Sequence, residues 1–410
     1  MKNISKKIEL LAPAGNVERL EAALYFGADA VYLAGKKYGL RAFSDNFDDE
    51  QLKAAVKTVH DAKKKVYVTL NIFAYDEDFE TLPDYIRYLD SLHVDAVLVS
   101  DPGVFSCVKK NAPSLPIHIS TQSNVTNGYS AKFWADLGAE RIVLARELSL
   151  DKIAAIRAAL PKSISLEAFV HGAMCVSYSG RCLLSNHFTG RASNHGECAQ
   201  PCRWEYSITE TTRKNNPLIM QEDERGTYIM NSKDLNMLEH VKELAVAGVD
   251  SFKIEGRTKT AYYVANAVNA YRRAIDLYQK DPDGYVLPDE LKAEPYKAAH
   301  RKYCTGFYFP SRETECADTS QPAADYAFCG LVLDYSGNVA VVEQRNRFRT
   351  GEVLEVLSPG EAFGKTFTVP VMKDENGDTV EDALLVQQKL YIETGLKLQK
   401  GDILRKKISK

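Results

Sequence analysis

The stretch Asn16-Val-Glu-Arg-Leu-Glu-Ala-Ala-Leu-Tyr-Phe26-Gly27-Ala-Asp-Ala30-Val-Tyr-Leu33 contains one complete structural unit. Its first eleven residues recur apolar at helical spacing, Gly27 supplies the conformation that ends a helix, and Ala30-Val-Tyr-Leu is a short apolar strand. The same junction returns at Gly138-Ala-Glu-Arg141 and Gly248-Val-Asp250. Working outward, strand patterns fall at residues 8–11, 30–33, 66–71, 96–100, 117–121, 141–145, 164–169 and 251–254. Most are continuous apolar runs, as in parallel strands covered on both faces. Helix-length segments at 16–26, 48–64, 78–92 and 261–278 lie between or after them. The periodicity therefore predicts an α/β protein with a (β/α)8 TIM-like barrel over residues 1–280; an open doubly wound sheet is the competing arrangement.

In such a barrel, chemistry sits on the loops that follow the strands. The polar residues expected there are Asn71, Ser100 with Asp101, Ser120 with Gln122, Arg146 with Glu147, Glu167 with His171, and Lys253-Ile-Glu255-Gly-Arg257. Each also has an ordinary reading as a helix cap or a rim ion pair. The unit between the seventh and eighth strands is abnormally long. From about 171 to 231 it forms an insertion expected to lie over the barrel mouth, its later part, 203–230, patterned like a β excursion. A polar connector follows over 281–326. From 327 to 410 short β runs broken by Tyr335-Ser-Gly-Asn, Asp374-Glu-Asn-Gly-Asp and Lys400-Gly-Asp predict a small all-β barrel domain. Gly360-Glu-Ala-Phe-Gly364-Lys365-Thr366 looks like a phosphate loop but is one residue short and has no helical pattern after it, so it reads as a turn.

The chain has 410 residues, 45% hydrophobic and 26% charged, with a net charge of −3, so any nucleic-acid surface must be a local patch. The apolar run after the basic first residues stops at Pro13 and Gly15, too soon for a signal peptide, and no segment reaches the roughly 18 apolar residues of a membrane helix. A cytoplasmic protein is the expectation. In that compartment the four thiols Cys175, Cys182, Cys198 and Cys202, spaced C-x6-C-x15-C-x3-C, point to a metal centre rather than to disulfides. Structural zinc prefers C-x2–4-C knuckles, which the x6 spacing lacks, whereas an iron–sulfur cluster accepts looser spacing because it needs only converging thiolates. Cys107, Cys304, Cys316 and Cys329 are scattered, as packing residues are. No H-E-x-x-H or G-x-S-x-G motif occurs.

Around those cysteines, Glu167-Ala-Phe-Val-His-Gly-Ala-Met-Cys175-x4-Gly180-Arg-Cys182-Leu-Leu-Ser185 closely resembles the signature of the U32 family, the collagenase-like peptidases. Glu9-Leu-Leu-Ala-Pro-Ala-Gly-Asn16, Asp29-Ala-Val-Tyr-Leu-Ala-Gly35, Gly190-Arg191, Cys198-Ala-Gln-Pro-Cys-Arg203, Ser232-Lys-Asp-Leu235 and Ile254-Glu-Gly-Arg-Thr-Lys259 extend the likeness through most of the chain. Asn346-x-Phe348-x3-Glu352 and Gly401-Asp-Ile-Leu-Arg405 are similar to the family's C-terminal β domain. This combination is most similar to the branch linked to prephenate-dependent hydroxylation of the tRNA wobble uridine to 5-hydroxyuridine. Other branches are linked to hydroxylation of ribosomal RNA or of quinone precursors.

The resemblance implies a [4Fe-4S] cluster on Cys175, Cys182, Cys198 and Cys202, prephenate as an anionic co-substrate, tRNA as partner and a paralogous U32 chain as a further one. On that reading Asn71, Gln122, Arg146, Lys253 and Arg257 bind substrate, the cations holding the anionic donor or RNA phosphate, and His171, Glu167 and Glu255 are catalytic candidates, with His171 or Glu167 moving protons. The alternatives are a peptidase, as the family name says, or an oxygen-independent hydroxylase of another substrate, ribosomal RNA or a quinone precursor. The family brings no assigned peptidase residues with it.

Overall fold

A computed structural model describes residues 7–39, 45–175, 177–178, 181–191, 197–204, 222–223, 226–227, 232–310 and 323–408. Seven strands alternate with helices: β1 (Glu9–Pro13), β2 (Ala30–Leu33), β3 (Lys65–Leu70), β4 (Ala96–Val99), β5 (Ile117–Ile119), β6 (Arg141–Val143) and β7 (Ser165–Ala173). Each pairs in parallel with the next. After β8 (Asp234–Asn236) comes β9 (Ser251–Ile254), which pairs in parallel with both β1 and β7 and closes an eight-stranded barrel. That closure rules out the open sheet.

Helices α1 (Val17–Tyr25), α2 (Asp49–Asp61), α3 (Leu82–Ser91), α4 (Pro102–Asn111), α5 (Gly128–Asp136) and α6 (Leu150–Ala159) surround it. Their starts are set locally: Asn16, Asp48, Asp101 and Asn127 each accept a first-turn backbone N–H on the side chain. Gly27, Gly138 and Gly248 all take positive φ at the helix-to-strand junctions that the sequence marked.

β7 is the irregular member. Expected to end at 169, it runs on to Ala173. Where β6 has ended, its upper half pairs antiparallel with β8, Ala173 opposite Asp234 and His171 opposite Asn236. β10 (Tyr303–Cys304), from the connector, adds to β8 in parallel. Both ends of the cysteine-bearing segment are thus rooted on one strand. Of the β excursion expected over 203–230, only Glu222–Asp223 paired with Gly226–Thr227 falls among the described residues beyond the turn at 201–203 and Trp204. The short helices α7 (Leu184–Thr189) and α8 (Val241–Val246) precede the long α9 (Ala261–Lys280), which packs along α1.

The C-terminal domain is an eight-stranded antiparallel half-barrel in the order Thr366–Thr368, Val353–Leu357, Ile403–Lys407, Tyr326–Ser336, Val339–Gln344, Lys389–Glu393, Met372–Lys373, Thr379–Val380. It has its own apolar core, centred on Val342, Phe348, Leu354 and Leu404. It docks on the barrel flank and not across the mouth: Leu357 and Ile403 join the barrel core, and Tyr262 stacks on Phe328 with centroids 5.5 Å apart. Arg273 of α9 donates to the carbonyls of Ser358, Pro359 and Gly360 at 2.9–3.0 Å. The phosphate-loop look-alike is therefore a turn held by an arginine.

Candidate active site at the barrel mouth

The lumen is charged where most such barrels are filled with layers of branched apolar side chains. Arg141, the first residue of β6, reaches across to Glu9 at the start of β1 (Nη1 to Oε1 2.5 Å) and to Glu167 of β7 (2.9 Å). Ser251 Oγ and Tyr67 OH donate to the Glu9 carboxylate at 2.9 and 2.8 Å. Glu167 in turn accepts from Lys253 Nζ at 2.8 Å. Side chains that bridge β1, β3, β6, β7 and β9 can only cross the barrel interior. Glu167 and Lys253 are 0% and 4% exposed at the side chain. Burial lowers the proton affinity of Lys253 and the Glu167 carboxylate opposes it, while Arg141 holds Glu9 below the usual carboxylate range despite burial.

Toward the mouth, the Lys253 ammonium faces the rings of Tyr32 (4.5 Å) and Phe169 (5.3 Å). The guanidinium of Arg146 lies 3.8 Å over the same Phe169 ring, donates to the Ala173 carbonyl at 2.9 Å and meets Glu255 at 3.3 Å. Cations thus alternate with aromatic rings in a column rising to the rim. Beside it Gln122 Oε1 accepts from Asn71 Nδ2 and Ser120 Oγ, both at 2.7 Å. Buried Arg257 lies where the loops after β1 and β9 touch; a Cβ at Gly15 would come within 2.0 Å of the Arg257 carbonyl oxygen, so this contact requires glycine. Burial pushes the Glu147 carboxyl at the rim up.

The structure joins Asn71 with Gln122, Arg146 with Glu255 and Lys253 with Glu167. Two expected positions differ. Glu167 lies within β7, not at its end, because the strand continues four residues past Phe169, and its carboxylate is sealed in the lumen. His171 is turned to the helix side, its ring among Tyr263, Tyr271 and Tyr303 at centroid distances of 5.4–5.7 Å. Burial pushes it down to about 4, so it is neutral near pH 7, and among the described residues its Nδ1 has no hydrogen-bond partner. Glu9, Tyr67, Arg141 and Ser251 were missed, since they begin strands or sit within them, at the end of the barrel where function is not sought. An arginine and a glutamate among apolar strand residues were the available signal.

Of the four cysteines of the insertion, Cys175 and Cys198 are exposed and Cys182 and Cys202 half-buried. The N–H of Gln200 points to Cys198 Sγ at 3.4 Å, as donors do toward ligating sulfur. This donor set suits a thiolate-bound group, although among the described residues no three His, Cys, Asp or Glu side chains converge on one point. Arg181 lies 4.8 Å over the ring of Phe73 in the loop after β3, which sets the segment at the mouth.

Fold and site define a closed β/α-barrel protein with a charged lumen, a thiol-bearing segment at the mouth and a docked β domain. The chain belongs to peptidase family U32: the family model matches residues 15–318 and the model of the U32 C-terminal domain matches 324–405. It is 38% identical over 407 residues to tRNA hydroxylation protein P1 of Bacillus subtilis, covering 98% of this chain and 96% of that protein. It is 37% identical over 366 residues to the 23S rRNA 5-hydroxycytidine C2501 synthase of Escherichia coli, covering 88% of this chain and 54% of that protein. Among solved structures, the U32 peptidase Mk0906 matches with a TM-score of 0.42 at 17% identity, over 61% of this chain and 94% of that one. No helix among the described residues is long and apolar enough to cross a membrane.

Proposed function

We propose that this protein hydroxylates a uridine of tRNA, converting the wobble uridine to 5-hydroxyuridine with a prephenate-like anion as co-substrate. The observation that carries the reading is the end-to-end likeness to tRNA hydroxylation protein P1, 98% of one chain against 96% of the other, where the rRNA synthase is matched over only 54% of its length. Lys253, Arg146 and Arg257 give the mouth cations for a carboxylate, and Glu147 a carboxyl able to hold a proton. Cys175, Cys182, Cys198 and Cys202 hold an iron–sulfur cluster, which when bound supplies electrons. A peptidase reading has less support: among the described residues no serine hydroxyl is hydrogen-bonded to a histidine, the pairing an activated serine needs.

Nucleoside analysis of tRNA from a strain lacking this chain, and any paralogue, tests the reaction. Loss of hydroxyuridine derivatives, restored by the wild-type gene, is expected, and an unchanged profile overturns the reading. Anaerobically purified protein is expected to be brown with about four irons and four sulfides per chain, lost together in the Cys175→Ala/Cys182→Ala variant. A colourless protein that binds zinc instead would remove the cluster from the proposal.

A further inference from the structure

Phe188 on α7 and Trp204, just after the turn Pro201–Arg203, stand with ring centroids 6.2 Å apart at 45°. They are 47% and 41% exposed, although large aromatic rings normally gain most by burial. The backbone beneath them is fixed. Ser185, fully buried, accepts the N–H of Ala199 on its Oγ at 3.0 Å; Thr189 Oγ1 donates to the Ser185 carbonyl at 2.7 Å; and Trp204 N–H donates to Pro201 at 2.9 Å. Helix and turn are thereby clamped together with both rings facing water.

The segment that carries the pair is cationic in sequence. Between residues 171 and 204 the sequence has Arg181, Arg191 and Arg203 against the single acid Glu197, in a chain whose net charge is −3. Arg181, over Phe73, ties this segment to the mouth. Exposed rings on an arginine-bearing segment match an unpaired nucleobase with its phosphates: single-stranded loops of RNA are recognised by splaying bases out and stacking them on aromatic side chains.

We propose that Phe188 and Trp204 form a stacking platform for an unpaired base next to the one that is modified. The proposal rests on the tRNA reading above and assigns that substrate a second contact outside the barrel. Trp204 follows Cys202 by two residues and Phe188 follows Cys182 by six, so the platform sits on the same segment as the thiols.

The test is binding of in-vitro-transcribed tRNA to the anaerobically purified full chain, by gel shift at several salt concentrations. Trp204→Ala and Phe188→Ala are each expected to weaken binding by roughly 5- to 150-fold. Trp204→Phe should retain most of the affinity, and the salt slope should not change, because it counts phosphate contacts and not stacking. The chain has two tryptophans, and the other, Trp134 in α5, is 8% exposed, so native emission from Trp204→Ala certifies the barrel. Unchanged affinity in both alanine variants, with wild type binding normally, overturns the platform and leaves the tRNA reading standing. A Trp204→Phe variant as weak as Trp204→Ala, or a reduced salt slope, also overturns stacking. A wild-type chain that binds no tRNA at any salt overturns the tRNA reading and the platform with it.

Discussion

Glu167, expected at the end of its strand, lies inside it with its side chain sealed in the lumen. Its carboxylate takes Arg141 on one oxygen and Lys253 on the other, with no water-facing surface. Removing one partner of a buried charge group leaves the others uncompensated. Glu167→Gln is therefore expected to cost about 3–5 kcal/mol in chemical denaturation, and adding Lys253→Met should recover part of it, since Arg141 retains Glu9. A single-variant cost below about 1 kcal/mol would place the pair in solvent-like surroundings. His171 provides a pH signature of a different kind. Held at about 4 by burial against an ordinary 6.5, its ring resists protonation in the fold but not in the unfolded chain. The unfolded state thus gains protons first as pH falls, so stability is complete above pH 6.5 and declines down to about pH 4. Between pH 7 and 5 this one group should remove about 2 kcal/mol. His118, also buried and lowered, adds to the same slope. His171→Phe should flatten the denaturation midpoint against pH over this range without abolishing the trend, whereas an identical slope in the variant would contradict the buried neutral ring.

At the level of elements, what was legible depended on periodicity. The Gly27, Gly138 and Gly248 junctions and the apolar runs mark the barrel, because a parallel strand buried on both faces must be apolar and a helix must end before it starts. The sequence pattern ends β7 at Phe169 because Val170-His-Gly-Ala173 breaks the apolar run and contains a glycine, ordinary signs of a loop. One side-chain contact and one backbone contact hold it in place. Tyr271 OH, on α9, donates to the Val170 carbonyl at 2.7 Å and accepts the Met237 N–H at 2.9 Å, while Gly172 at φ +105° fits against the Glu255 carbonyl, where a Cβ would approach to 2.5 Å. Partners a hundred residues away leave no local trace. The same holds for the site: Asn71, Gln122, Arg146 and Lys253 were found as polar residues at or near strand ends, but the ion column through Glu9 and Arg141 depends on which strands face each other across the lumen.

Across the whole molecule, the β domain and the barrel are joined by a buried ionic knot. Arg405, fully buried, pairs with Glu294 of the connector (Nη1 to Oε1 2.6 Å) and with Glu355 of its own sheet. Lys297 bridges the same two carboxylates at 3.0 and 2.6 Å. Two acids and two bases balance, and Arg405 and Lys297 hold Glu355 below its usual range although burial works against them. Glu294 also accepts from Asn266 Nδ2 of α9 at 3.1 Å, so the knot touches both sides of the domain junction. Arg405→Met leaves two carboxylates with one lysine, one of them wholly buried, and the expected cost is about 3–5 kcal/mol. Because these groups join the domains, the loss should not fall evenly. Wild type is expected to melt in one calorimetric transition, its two cores unfolding together through Leu357, Ile403 and the Tyr262–Phe328 stack. In Arg405→Met the β domain should melt first, splitting the transition in two, with the barrel peak close to its original temperature. Adding Glu294→Gln should return some of the lost stability by removing the unpaired charge. A variant that still melts as one unit, merely at lower temperature, would show that the apolar contacts alone couple the domains.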